Sequence, residues 1–188
     1  DFPHLMLRAK AIKFKKGGAS FRDKLLSATD AMGKLNTIPI VVQAVNAINR
    51  NGVARKLLDQ TLGVHKDREL PEYASRKFRS NALESKKNEI KNGKNTPGKV
   101  AVFSTCYVNY NEPGMGHDLL AVLAHNEIPY VLVEKEACCG MPKLELGDLD
   151  SVRFLKEKNI PGMAKLARDG YAIVTPIPSC TLMFKQEL

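Results

Sequence analysis

The chain has 188 residues and a mass of 20.8 kDa, room for one or two small domains, and its 44% hydrophobic content excludes wholesale disorder. The longest apolar runs, IPIVVQAV (38–45) and LLAVLA (119–124), fall far short of the roughly 18 residues that a membrane-spanning helix needs. The net charge of +9 is uneven: residues 1–100 hold 21 Lys and Arg against 9 Asp and Glu, and residues 101–188 hold 8 against 11, so two units of different chemistry are expected.

Asp1, not Met, opens the chain, and no charged-then-apolar leader follows. The sequence therefore reads as a fragment or a partly observed chain with no signal peptide in it. Residues 1–98 read as helical. Residues 3–16 place Leu5, Ala9, Ile12 and Lys16 on one stripe, with Pro3 at the start and Gly17-Gly18 as the stop. Ser20 followed by Asp23 is a variant capping box that opens a second helix to about Leu35. Further helices are expected from Pro39 to Asn49 and from Val53 to Leu62, divided at Asn51-Gly52. From Gly63 to Pro97 the chain turns polar, and SKKNEIKNGKNTPGK reads as a solvated linker.

Residues 99–188 change period. Strands are expected at 99–105, 130–136 and 171–176. A helix is expected over 118–126 behind a Pro113-Gly114 turn, and another from about Asp148 to Arg168, interrupted near Pro161-Gly162. Strand–helix–strand–helix–strand predicts a small parallel sheet with right-handed crossovers. The fold class is α/β: a helical N-terminal region followed by a parallel-sheet domain that holds every cysteine.

Each cysteine falls just after a strand: Cys106 after the first, Cys138 and Cys139 after the second, Cys180 after the third. In a parallel sheet the strand C-termini share one edge, where open α/β folds bind ligands. Four thiols distant in sequence should therefore converge. Buried cysteines often serve only as small hydrophobes, but four at strand ends with a vicinal pair point to chemistry. A disulfide framework does not suit a leaderless chain with so few cysteines. Iron–sulfur ligation fits the thiol set ahead of zinc, whose sites usually contain Cys-x-x-Cys pairs that this chain lacks. Two alternatives stay open, a structural zinc module and a thiol–disulfide exchange centre in which Cys180 attacks and a neighbour resolves. Gly140 would let the backbone come close to the sulfurs. The helix pattern TLMFKQEL would set Cys180 near a positive helix end.

At these residues STCYVNYNEPGMGHDLLAVL, EKEACCGMPKLELGD and VTPIPSCTLMFKQE resemble the cysteine-rich Cys-Cys-Gly domain of the heterodisulfide reductase B subunit. Within that superfamily they are most similar to the iron–sulfur C subunit of anaerobic glycerol-3-phosphate dehydrogenase. The family pattern is a Cys, then Cys-Cys-Gly, then Cys-x-x-Cys. Here 31 residues (107–137) separate Cys106 from Cys138, and Ile177-Pro178-Ser179-Cys180 fills the last slot, with Ile177 where its first Cys would stand. The resemblance assigns Cys106, Cys138, Cys139 and Cys180 as metal ligands and excludes Ile177. It implies an iron–sulfur cluster of the 4Fe-4S type. It implies electron relay from a flavin-containing dehydrogenase subunit toward a quinone or disulfide acceptor. It also implies further iron–sulfur modules in the same protein and a cytoplasmic location with peripheral contact at the inner face of the cell membrane. DFPHLMLRAKA and LGVHKDRELPEYASRKF resemble the connector that precedes the domain in such subunits.

The basic first half suits an acidic partner better than nucleic acid, since Trp is absent and no binding motif is present. His4, His65, His117 and His125 show no ligand spacing, and PGMG (113–116) reads as a turn. Lys185 reads as solvated, and Tyr107 and Tyr110 as packing residues.

Overall fold

The computed structural model describes residues 2–85 and 98–188. Residues 86–97, most of the stretch expected as a linker, lie outside the described residues. The helical region comprises α1 (Phe2–Gly17), α2 (Phe21–Leu26), α3 (Thr29–Asn36), α4 (Pro39–Arg50), α5 (Gly52–Leu62) and α6 (Phe78–Ser85). Its caps follow from the residues. Ser20 Oγ accepts the Asp23 N–H, the Asn51 side chain accepts from Val53 and Ala54, and Gly63 closes α5 at φ 60°.

Two features differ from expectation. The helix expected from Ser20 to Leu35 breaks at Ser27-Ala28, where the Ser27 hydroxyl bonds back to the Lys24 carbonyl and competes with the helical ladder. The polar stretch after Gly63 contains α6, because Phe78 and Ala82 are buried against Val108, Leu120 and Leu123. Local polarity predicts a loop there; burial of one aromatic face decides otherwise.

The second part runs β1 (Lys99–Val102), α7 (Cys106–Tyr110), α8 (Pro113–His125), β2 (Tyr130–Leu132), α9 (Met141–Leu146), α10 (Leu149–Arg168), β3 (Tyr171–Val174) and α11 (Pro178–Leu182), with a π-helical turn at Met183–Glu187. The sheet order is β2-β1-β3 and every pairing is parallel, with Val102 opposite Leu132 on one side and Val174 on the other. The strands are shorter than the apolar runs suggest. Alternation along β1 splits the core: Val102 packs with α8 on one face, and Ala101 and Phe103 with Met163 of α10 on the other.

PGMG is not a free turn but the first turn of α8. Pro113 stands at its start, and Gly116 lies so close to Phe78 and Val108 that a Cβ would come within 2.6 Å of the ring. The interruption expected at Pro161-Gly162 does not occur. Both residues lie on the exposed side of α10, and Val152, Asn159 and Met163 hold its other side against the protein. Among the described residues no helix is long and apolar enough to cross a membrane.

Candidate metal centre

The loops that leave β1, β2 and β3 meet at one edge of the sheet, as parallel strands require. Cys106 opens α7 directly after Thr105, which holds the uncommon φ of 72° and caps α7 by accepting from Val108. Such strain in a β-branched residue needs support from its surroundings. Cys138 and Cys139 precede Gly140, whose φ of 99° suits glycine and whose carbonyl starts α9 by accepting from Lys143 and Leu144. Cys180 lies in α11, buried with Cys139, Leu144, Val152 and Met183.

All four cysteines are free, and neighbouring thiols interact in the order Cys106, Cys138, Cys139, Cys180. Cys138 interacts with both Cys106 and Cys139, and Cys139 in turn with Cys180. Hydrogen bonding from Cys106 and then Cys139 holds the Cys138 thiol far below its usual range, while the Cys106 and Cys139 thiols are pushed up, chiefly by their bonds to Cys138. Backbone N–H groups of Gly140 and Met141 favour the anionic sulfurs of Cys138 and Cys139. Three of the thiols are buried and Cys106 is half-buried. Among the described residues no group of three or more His, Cys, Asp or Glu side chains surrounds a single metal-ion position. The donor set consists of soft sulfurs with amide donors at their backs, and it fits thiolate-bound metal chemistry.

Several residues that hold these cysteines carry no signal in the local sequence. Thr29 Oγ1 donates to Cys138 Sγ at 3.3 Å, and Asp30 Oδ2 accepts the Cys138 N–H at 2.6 Å, both across more than 100 positions of chain. From the other side Asn159, fully buried on α10, accepts the Ala137 N–H at 2.9 Å and donates to the Cys138 carbonyl at 3.0 Å. Glu136 accepts from Ser104 N at 2.8 Å and from Arg79 at 2.7 Å, tying the loop before Cys106 to the loop before Cys138. No spacing rule could have found these pairs, because each joins separate elements.

The other residues singled out from sequence have packing roles. His117 stacks edge-on against Phe78 at 5.2 Å. Tyr110 packs under Gly33, and burial pushes its hydroxyl pKa up to about 12. Ile177 packs among the apolar residues beside Cys139 and Cys180.

A family model described as the cysteine-rich domain matches residues 100–185, the stretch that supplies all four cysteines. Residues 100–185 belong to the cysteine-rich domain family. The cysteine-rich domain accounts for the sheet, and a wider likeness takes in the helices before it. The chain is 31% identical over 188 residues to the C subunit of anaerobic glycerol-3-phosphate dehydrogenase from Escherichia coli K12, a match that covers 97% of this chain and 45% of that protein. It is 31% identical over 96 residues to the B subunit of fumarate reductase (CoM/CoB) from Methanothermobacter marburgensis, covering 50% of this chain and 19% of the relative. An uncharacterized iron–sulfur protein of Methanocaldococcus jannaschii is 30% identical over 89 residues, covering 47% of this chain and 18% of its own length. The chain thus spans about half the length of the first of these relatives and less of the others. No solved structure matches.

Proposed function

We propose that Cys106, Cys138, Cys139 and Cys180 hold an iron–sulfur cluster of the four-iron type, and that the chain relays electrons within a dehydrogenase or reductase complex. The donor would be a flavin-containing dehydrogenase subunit and the acceptor a quinone or a disulfide. One observation supports this reading: each of the four cysteines follows one of three parallel strands, and neighbouring thiols interact in the order Cys106, Cys138, Cys139, Cys180, with amide donors behind two of them. Sulfurs that interact in succession suit ligands on different irons of one cluster. The relatives, by name a dehydrogenase subunit, a reductase subunit and an iron–sulfur protein, support the same class.

The bound cluster would supply one-electron transfer. The chain's own residues would ligate it, bury it and fix the loops. Cys106 borders two cavities: an apolar one of about 750 Å³ with Met32, Leu58 and Tyr107 in its walls, and a polar one of about 410 Å³ beside Arg79 and Glu136. Electrons would enter or leave at this half-buried cysteine. Other iron–sulfur modules of the same protein would complete the path. The basic helical half suits an acidic partner surface, on the cytoplasmic side with peripheral contact at the inner face of the membrane.

Anaerobic purification of the full-length protein, with iron, acid-labile sulfide and zinc analysis, tests the assignment. The reading expects a brown protein with iron and sulfide in similar amounts. A colourless protein that carries zinc, or no metal at all, would overturn it.

A further inference from the structure

The helical half does more than abut the cysteines, because one of its side chains reaches a sulfur. Thr29 is the first residue of α3, and its hydroxyl is not spent on that helix, whose N-cap, Ala28, has no capping side chain. A spare threonine hydroxyl at a helix start would ordinarily face water. Here it is half-buried and donates to Cys138 Sγ at 3.3 Å.

Its neighbours leave it little freedom. Asp30 Oδ2 accepts the Cys138 N–H at 2.6 Å, so the next residue grips the backbone of the cysteine whose sulfur Thr29 bonds. Just before α3, Ser27 Oγ accepts from Lys143 Nζ of α9 at 3.0 Å. One turn on, Gly33 lies against the Tyr110 ring of α7 with no room for a Cβ.

We infer that Thr29 is a positioning residue that tunes the metal centre: its hydroxyl bond to Cys138 Sγ raises the reduction potential of the cluster proposed above. The inference rests on that reading of the four cysteines. A hydrogen bond to a ligating sulfur withdraws charge from it, so the sulfur donates less to iron and the more negative, reduced state is favoured. Ligand identity is unchanged; only the electron density on one sulfur moves.

The test is a redox titration of the anaerobically purified full-length protein, followed by electron paramagnetic resonance, for wild type, Thr29→Val and Thr29→Ser. Iron and sulfide are measured on each sample. Val keeps the shape and removes the donor; Ser keeps the donor. The expected result is a midpoint shifted to more negative potential in T29V and restored toward wild type in T29S, at equal cluster content. If T29V does not fold or load, Thr29→Ala is read in its place. A midpoint that does not move in the donor-less variant, or moves equally in T29S, overturns the role of Thr29 while leaving the cluster assignment intact. Wild-type protein without iron and sulfide overturns the cluster reading, and the tuning role with it.

Discussion

Glu136 shows how the residues around the cysteines are held at a cost. Its carboxylate bridges Ser104 and Arg79, yet burial outweighs both and pushes its proton affinity up to about 7 from an ordinary 4.5. The folded protein therefore keeps a proton that the unfolded chain releases near pH 4.5. That contribution to stability is fully present below pH 4.5 and is lost as pH rises through about 7. Denaturant midpoints of the metal-free protein should fall across this window, and Glu136→Gln should flatten the fall; parallel curves for the two proteins would contradict this. Asn159 makes a second case. Asn159→Ala leaves the Ala137 N–H and the Cys138 carbonyl without their buried partner. It should cost about 1–3 kcal/mol in equilibrium unfolding, and an unchanged midpoint would show that the loop finds other bonds.

Among the elements, α1 reveals how closely the helical half is fitted to the cysteine-rich domain. Leu7 packs against the cluster of Cys139 and Cys180, Lys10 pairs with Glu145, and His4 lies 3.4 Å from Glu187. Gly147 makes the seat: at φ 89° it passes so close to α1 that a Cβ would stand 2.6 Å from the Lys10 backbone. Gly147→Ala should therefore lift α1 from α9 and speed proteolytic cutting within residues 2–20, with a stability loss of about 1–3 kcal/mol. Unaltered cleavage would show that the helix can shift in place. The elements readable from sequence are those whose signal is local. Apolar runs mark the three strands, and Asn51 and Gly63 mark the ends of α5. The α2–α3 break and α6 are not readable, since a serine back-bond and the burial of Phe78 against distant residues decide them. Pro161 misleads in the opposite sense, because an exposed proline is tolerated where the rest of the helix is held.

For the whole molecule, the parallel direction of the strands alone predicts that Cys106, Cys138, Cys139 and Cys180 share one sheet edge, and in the structure neighbouring thiols of this set interact pair by pair. Their supports, Thr29, Asp30, Asn159 and Glu136, are invisible in the sequence because they exist only once separate elements pack. The charge asymmetry also acts at this scale: a basic helical face should bind an acidic partner through contacts screened within roughly 8 Å at physiological ionic strength. Recovery of the full-length protein with its complex from native lysate should fall as salt is raised, and salt-independent recovery would point to an apolar interface instead. The central claim is that these four sulfurs hold one iron–sulfur cluster. Its most direct test is iron and acid-labile sulfide content of the anaerobically purified full-length protein, compared with Cys106→Ser, Cys138→Ser, Cys139→Ser and Cys180→Ser. Each substitution should lower both contents together by the same cluster's worth; a set of variants that all keep wild-type iron and sulfide would contradict the account.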